Sequence, residues 1–312
     1  MPRRSRFALT LVVFFGLGLQ GSAGVSLPSN LVGAFHWKNP DNLFGGLSSL
    51  ELSADGNAFT ALSDKGSYVT GTFVRDAQGR ITGIRSHPMQ RLKSDTQAPL
   101  AATRNDSEGL AIAKDGTVYV SFEGVARVLR YDRIDGLAEN LPRPQAFASY
   151  PRNAAFEALA IDSKGVLYTL PEELTGSRRL RLFTGQPGNP NGPDFPIWRF
   201  DGATWTQPFF LPRSGNYLPV GADFGPDGRF YVLERQFRGI AGFGSRVRSF
   251  TVGAKGLGAE RVEMESPIGL HDNLEGLSVW RDGTGAIRLT MISDNNFLPI
   301  QRTEIVEYRI GN

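Results

Sequence analysis

The sequence contains no cysteine in its 312 residues. Disulfide frameworks, thiolate metal sites and cysteine nucleophiles are therefore excluded. Histidine is scarce as well, since only His36, His87 and His271 occur. The chain has no Gly-x-Ser-x-Gly elbow, no phosphate-binding loop and no zinc-protease motif. The signatures of α/β-hydrolases, nucleotide-binding proteins and zinc proteases are thus missing.

A strong charge of one sign is also lacking. The formal net charge of +3 comes from Arg3, Arg4 and Arg6, because the other 31 Lys and Arg equal the 31 Asp and Glu in number. This balance gives no reason to expect a nucleic acid or an acidic membrane as a partner. The apolar run at residues 7–19 is shorter than the ~20 residues with which a helix spans a bilayer.

The N-terminal segment has the layout of a secretory signal peptide. Its arginines precede the apolar run, and Gly21, Ser22 and Ala23 supply the small residues of a cleavage site. We therefore expect residues 1–23 to be a signal peptide and residues 24–312 to form one domain. That domain is expected to act as a monomer in the periplasm or outside the cell, without further membrane attachment.

One sequence unit recurs five times in the rest of the chain. Each copy has an apolar stretch, a turn, a second apolar stretch and then an acidic residue. The turns are Asp55-Gly56, Asp115-Gly116, Lys164-Gly165, Asp227-Gly228 and Asp282-Gly283. Alternating apolar residues around such a pair predict a β-hairpin. Matched copies lie about 50 to 63 residues apart, which is room for four strands and their loops.

This repeat predicts an all-β fold, a β-propeller of four-stranded blades. Radial repetition closes the ring and so protects the edges of the sheets. No single unit could bury both faces of its sheet alone. We count five blades, and six is the alternative if a degenerate blade lies within 65–104 or 178–218. Residues 31–37 are expected to add the strand that the last blade lacks after 303–310, so that an N-terminal strand closes the ring.

Acidic residues are predicted to converge at one end of the propeller channel. The start of the first strand and the end of the second lie at the same end of each blade. Crowded carboxylates repel one another, so they require either arginines from neighbouring blades or bound cations. Carboxylate and amide oxygens favour Ca²⁺. The predicted metal ligands are Asp64, Glu108, Glu123, Glu157, Glu172, Asp223, Glu275, Asp294 and Asn295.

Four residues of the same region are predicted to act in catalysis. They are Glu234, Arg235, His271 and Arg127. A carboxylate or His271 would serve as general acid or base, and the two arginines would hold phosphate oxygens. His36 and His87 are expected to be structural.

Several motifs together resemble a known family, the exported phytase-like proteins described as having esterase-like activity of phytase. The matching segments are GGLSSLELSADG, SEGLAIAKDGTVYVSFE, NAAFEALAIDSKGVLYTLPEE, VGADFGPDGRFYVLERQFRG and NLEGLSVWRDG with ISDNNFLPIQRTEIVEY. The resemblance implies a secreted or periplasmic β-propeller that hydrolyses phosphoesters or esters. The chain is also similar in architecture to the β-propeller phytases, which depend on Ca²⁺ and attack phosphate with metal-activated water.

The leading hypothesis is an exported, Ca²⁺-dependent hydrolase of phosphomonoesters or related esters, with a small molecule as its substrate. One alternative is a non-catalytic propeller that binds a ligand, a glycan or a protein at the same mouth. Another is a lactonase-like hydrolase, because small propellers with a channel Ca²⁺ also open lactones.

Overall fold

A computed structural model of the chain describes residues 27–151, 155–172 and 192–311. The predicted signal peptide, residues 1–23, lies outside the described residues. In the part of the chain that is described, none of the helices has the length and apolar character needed to cross a membrane.

The first three sheets follow one another along the chain, and each is antiparallel. Blade 1 consists of β2 (Leu47–Leu52), β3 (Ala58–Ser63), β4 (Ser67–Arg75) and β5 (Ile81–Ser86), with β6 (Gln90–Arg91) also paired to β4. Blade 2 consists of β7 (Ser107–Ile112), β8 (Val118–Phe122), β9 (Arg127–Tyr131) and β10 (Glu139–Asn140). Blade 3 consists of β11 (Ala158–Ile161), β12 (Leu167–Leu170), β13 (Phe195–Phe200) and β14 (Trp205–Leu211).

The last two sheets complete the architecture, together with short 3-10 helices at Gln145–Ser149 and Gly239–Ala241. Blade 4 consists of β15 (Leu218–Phe224), β16 (Phe230–Phe237), β17 (Phe243–Gly253) and β18 (Gly256–Glu265). Blade 5 consists of β19 (Leu274–Arg281), β20 (Ile287–Ser293), β21 (Glu304–Ile310) and the N-terminal strand β1 (Leu31–His36).

The first strands of the blades form a ring. Strands β2, β7, β11, β15 and β19 contact one another in succession, and β19 contacts β2. The prediction of a five-bladed propeller is therefore confirmed. The stretch 65–104 holds the outer strands of blade 1, and the described part of 178–218 holds the outer strands of blade 3, so neither adds a sixth blade.

The predicted Asp-Gly turns form the hairpins between the first and second strands. In blade 2, Oδ1 of Asp115 accepts a hydrogen bond from the backbone N–H of Thr117 at 3.0 Å. Gly116 has φ +90°, a conformation that glycine adopts without steric cost. The side chain of the aspartate and the freedom of the glycine thus specify the turn locally, which is why the sequence pattern predicts it.

Apolar side chains pack between neighbouring blades. Within the described residues, buried clusters join blades 1 and 2, 2 and 3, 3 and 4, 4 and 5, and 5 and 1. The junction of blades 5 and 1 buries Trp37, Leu47, Phe59, Ile292 and Ile305. Each blade therefore needs both neighbours to cover its faces.

The ring is closed by strand pairing between the two ends of the described chain. Strand β1 pairs antiparallel with β21, with Phe35 opposite Ile305. The backbone N–H of Trp37 adds a hydrogen bond to the carbonyl of Thr303 at 2.9 Å. The predicted closure by an N-terminal strand is thus confirmed.

A buried ion pair ties blade 1 to blade 5 at this closure. Arg75 of β4 donates two hydrogen bonds to Glu307 of β21, at 2.7 and 2.8 Å. Arg288 donates a third at 2.9 Å, and the hydroxyl of Thr290 a fourth at 2.8 Å. Glu307 is only 2 % exposed, so its carboxylate compensates two guanidinium groups away from bulk water.

Replacing Glu307 by Gln is expected to destabilise the fold by about 3–5 kcal/mol, because two guanidinium groups lose their buried counter-charge. Denaturant unfolding measures this change. Asp132→Asn is the matched control, since the side chain of Asp132 is 82 % exposed and loss of its ion pair with Arg130 should cost less than about 1 kcal/mol. Equal effects of the two substitutions would contradict a role for the buried pair in closure.

Candidate active site

The end of the channel where the first strands begin and the second strands end collects carboxylates, and we call this end the acidic mouth. Asp64 follows β3, Glu275 lies near the start of β19, and Asp294 follows β20. Glu275 and Asp294 are buried, with 3 and 4 % exposure, while the side chain of Asp64 is 19 % exposed. Three of the predicted ligands are therefore brought together at the junction of blades 1 and 5.

Burial and mutual repulsion raise the pKa values of this group. Burial raises the pKa of Asp64 to about 6, the Lys65 ammonium opposes the rise, and the charges of Glu275 and Asp106 add to it. Burial, followed by the charges of Glu275 and Asp64, raises the pKa of Asp294 well above its usual value. The mouth therefore contains carboxyl groups that keep their protons to a higher pH than isolated carboxyl groups do.

Arg235 is the cation at the base of the acidic mouth. Its guanidinium donates to Glu172 at 2.9 Å and also to Glu275 and Asn273. Arg235, Glu172 and Glu275 are each buried. Arg235 thus links blades 3, 4 and 5 and compensates the charge of two predicted metal ligands.

A second group of carboxylates lies in blade 2. Oxygens of Asp106, Glu108 and Glu123 lie within 4.8 Å of one another. The backbone N–H of Glu123 donates to the carbonyl of Asp106 at 2.9 Å, so the hairpin brings the start of β7 and the end of β8 together. Glu157, directly before β11, is buried at the equivalent place in blade 3.

His271 is buried near the mouth, in the loop before β19. Its Nε2 forms a 2.7 Å hydrogen bond with the hydroxyl of Tyr308. Burial, assisted by the charge of Arg302, lowers the pKa of His271 to about 4. The ring is therefore neutral at physiological pH and joined to a residue of β21, which favours a structural role.

Two further predicted residues, Glu234 and Arg127, are engaged in contacts that hold the fold. Glu234 is buried between two guanidinium groups and accepts hydrogen bonds from Arg246 at 2.9 Å and Arg248 at 2.8 Å. Arg127 donates to the carbonyls of Val125 and Arg104 and lies over the ring of Phe122, 4.0 Å from its centroid. Burial lowers the pKa of Arg127 to about 10.

Asn295 lies at the acidic mouth, but its side-chain oxygen is used by the backbone. It accepts hydrogen bonds from the N–H groups of Gly46 at 2.9 Å and Phe297 at 3.2 Å. The bond from Gly46 connects blade 5 to blade 1, and the bond from Phe297 lies within the loop after β20. The side chain of Asn295 therefore shapes the rim by binding the backbone N–H groups of Gly46 and Phe297.

Asp223 lies at the opposite end of the channel, which we call the hairpin mouth. The strand β15 begins at Leu218, so Asp223 is close to the hairpin turn instead of the strand start. A cavity of 1310 Å³ opens here, and Glu51 also lines it. Asp223 accepts hydrogen bonds from the N–H groups of Phe224 at 2.7 Å and Val279 at 2.6 Å.

Comparison with known proteins assigns the family. The sequence matches the family model Phytase-like, described as esterase-like activity of phytase, over residues 42–297. The chain belongs to this family. No curated protein matches the sequence of this phytase-like chain.

Solved structures resemble the phytase-like chain only distantly. A gluconolactonase from Xanthomonas campestris shares 16 % identity with a TM-score of 0.45, covering 84 % of this chain and 78 % of that one. A putative gluconolactonase shares 13 % identity with a TM-score of 0.43, covering 91 and 96 %. A chain of a nidogen/laminin complex shares 12 % identity with a TM-score of 0.45, covering 77 and 71 %. Such scores carry no information about activity.

The sequence pattern contained a signal for Glu51 that our motif reading missed. Glu51 precedes Asp55 of its turn by four residues, and Asp223 precedes Asp227 by the same distance. Small residues occupy the matching positions of the other three blades: Ala111, Ala160 and Ser278. Aligning the repeats on their turns therefore identifies two channel-facing acids in the phytase-like chain.

The two acids of the hairpin mouth predict a pH-dependent stability. Burial raises the pKa of Asp223 to about 7, and burial with the charge of Asp223 raises the pKa of Glu51 well above its usual value. Groups whose pKa is raised by folding stabilise the protein at low pH and lose this contribution as pH rises through the folded-state pKa. This stabilising contribution is therefore expected to decrease from about pH 4 upwards and to be lost above about pH 7.

Glu51→Gln removes one of the two carboxylate charges of the hairpin mouth. The stability of this variant relative to the unsubstituted protein should therefore increase from pH 5 to pH 8. We expect a gain of about 1 kcal/mol or more at pH 8, the free energy of one pKa unit. Unfolding curves across this pH range measure it, with Asp95→Asn as the control because Asp95 is exposed. Parallel curves for Glu51→Gln and the unsubstituted protein would contradict the repulsion.

Proposed function

We propose that the acidic mouth hydrolyses phosphomonoesters or related esters. The observation that carries this proposal is Asp64, a partly exposed carboxyl group with a pKa of about 6. Lys65 lies beside it, with Nζ 2.9 Å from Oδ2. A proton donor next to an exposed cation can protonate a leaving alcohol and attract the negative charge of an ester substrate.

Asp64 acts as the general acid in this proposal. A group with a pKa near the working pH combines a useful protonated fraction with a strong tendency to release its proton. The backbone N–H of Asp64 donates to the carbonyl of Gly46 at 2.7 Å, so the carboxyl group is held at the rim. It would donate its proton to the oxygen of the departing alcohol, while a water molecule bonds to the phosphorus atom or acyl carbon and releases a proton to solvent.

Lys65 and Arg235 have different tasks in the proposed reaction. The side chain of Lys65 is 55 % exposed, so it can attract a phosphate or the charge that develops on an ester oxygen. Arg235 is buried and engaged by Glu172 and Glu275. It acts as a positioning residue, because its guanidinium fixes these two carboxylates near Asp64 and Asp294.

The carboxylates of blade 2 fit a Ca²⁺ ion. Oxygen ligands lie about 2.3–2.6 Å from Ca²⁺, so two ligands of one ion lie no more than about 5 Å apart. Oxygens of Asp106, Glu108 and Glu123 meet this limit. When bound, Ca²⁺ would lower the pKa of a coordinated water and offset negative charge on the phosphate.

The cellular location is part of the same proposal. Residues 1–23 have the features of a signal peptide, and we propose that the enzyme acts in the periplasm or outside the cell on a small soluble ester. Extracellular Ca²⁺ sites bind on the order of 10⁻⁴ to 10⁻³ M, and the same range is expected here.

Asp64→Asn is expected to lower kcat about 100-fold for a substrate with a poor leaving group, such as phenyl phosphate or phenyl acetate. The loss should be smaller for the p-nitrophenyl analogues, whose leaving group needs less protonation. Activity of the unsubstituted enzyme should fall as pH rises above about 6, and this limb should disappear in Asp64→Asn. Steady-state assays against pH measure both effects, with Asp95→Asn as the control.

Equal losses on both leaving groups would contradict a general-acid role for Asp64. Turnover of a lactone instead of either ester class would support the lactonase alternative. No turnover of any of these substrates would reject the hydrolase and favour a non-catalytic binding propeller.

Ca²⁺ is expected to raise the melting temperature of the protein, and EDTA to reverse the rise. At 100 times the Kd the stabilisation is about 2.7 kcal/mol. The double substitution Glu108→Gln with Glu123→Gln should abolish the Ca²⁺-dependent rise, while Glu260→Gln, an acid of the outer strand β18, should retain it. A Ca²⁺ response that survives the double substitution would place the ion elsewhere.

A further inference from the structure

The loop after β20 holds Phe297 at the rim of the acidic mouth in an unusual backbone conformation. Asn296 and Phe297 have φ +47° and +53°, a region that residues other than glycine rarely adopt. The N–H of Asn296 donates to Oδ1 of Asp294 at 2.6 Å, and the N–H of Phe297 donates to Oδ1 of Asn295 at 3.2 Å. Hydrogen bonds therefore offset the cost of this conformation and fix the position of the ring.

Two glycines of blade 1 provide the surface against which the ring lies. A Cβ atom on Gly45 would lie 2.8 Å from Cε1 of Phe297, and one on Gly46 would lie 2.5 Å from Cε2. Both glycines also have positive φ, +136° and +58°. A side chain at either position would displace the ring, so the Gly-Gly pair of blade 1 is matched to the phenylalanine of blade 5.

The ring lies next to the proposed proton donor. The same Cβ position on Gly46 would also collide with Oδ1 of Asp64, so this oxygen and Cε2 of Phe297 lie within about 5 Å of each other. The Nζ atom of Lys65 is 5.6 Å from the ring centroid. Phe297 nevertheless remains 44 % exposed, so part of the ring is open to a molecule that approaches Asp64.

We infer that Phe297 is a specificity-determining residue of this site, and that it contacts the alcohol part of the substrate. The inference rests on the proposed hydrolase. Asp64 protonates the oxygen of the departing alcohol, so the alcohol is the part of the substrate that lies nearest to the ring. A planar or apolar alcohol gains stacking and burial against Phe297. A polyol carries hydroxyl groups that stay hydrated, so it gains far less. The substrate class is therefore an ester or phosphoester of an aromatic alcohol.

Matched substrates test this inference. Phenyl phosphate and methyl phosphate, or phenyl acetate and methyl acetate, differ only in the alcohol. In Phe297→Ala the KM for the phenyl substrate should rise roughly three- to tenfold, and the KM for the methyl substrate should change less than about twofold. Phe297→Leu keeps the apolar contact and should lie between the two, which covers the case in which Phe297→Ala folds poorly.

Leu298→Ala is the matched control, because Leu298 is 48 % exposed in the same loop. It should leave the phenyl-to-methyl ratio of KM unchanged. A structural role for Phe297 alone would shift both substrates equally and lower the melting temperature. An unchanged ratio in an active Phe297→Ala enzyme would overturn the inference and leave the hydrolase in place.

Calorimetry with phenylphosphonate and methylphosphonate separates the inference from the proposed function, because these compounds are not hydrolysed. Tighter binding of phenylphosphonate that is lost in Phe297→Ala supports the ring contact, even if no ester is turned over and the hydrolase proposal fails. Absence of both turnover and any preference for phenylphosphonate would overturn both proposals.

Discussion

The pairing of β1 with β21 is the constraint on which the rest of the structure depends. Without this pairing the five sheets would form an open row, and blades 1 and 5 would lie at its two ends. The buried junction around Trp37 and the ion pair of Arg75 with Glu307 exist only because the ring is closed. Closure also brings Asp64 of blade 1 to Asp294 of blade 5. The proposed chemistry therefore depends on contacts made at the outer edge of the propeller.

Closure crowds acids at both ends of the channel, and the two ends compensate this charge differently. At the acidic mouth, Arg235 forms ion pairs with Glu172 and Glu275, while burial and the charges of Glu275 and Asp64 raise the pKa of Asp294 well above its usual value. At the hairpin mouth, the described residues include no ion pair to Glu51 or Asp223, and protonation relieves the repulsion. The two ends differ because the acids of the acidic mouth are buried near the guanidinium of Arg235, whereas Glu51 and Asp223 are buried near each other.

The sequence predicted the architecture well because its determinants are local. Four Asp-Gly turns and the Lys164-Gly165 turn of blade 3 each specify a hairpin within a few residues, and the five turns together give the number of blades. Side-chain partners are less accessible, because they depend on strand register. A bulge between Pro219 and Gly221 shifts the pairing of β15 with β16, and Glu234 lies between Arg246 and Arg248 of the neighbouring strand. Asp223 lies at the hairpin mouth for a similar reason, since β15 begins before the repeat that we aligned.

The strained rim at Phe297 explains why the proposed site lies at the junction of blades 1 and 5. Two consecutive residues in the left-handed conformation are costly in an open loop. Here Gly46 and Asp64 of blade 1 lie against the aromatic ring of Phe297. The rim can therefore form only after closure has joined the two blades. A junction that must be rigid to keep the propeller closed also supplies a rigid support for the proposed catalytic carboxyl group and the aromatic side chain beside it. The stability of the closure and the geometry of the site thus have a common physical origin.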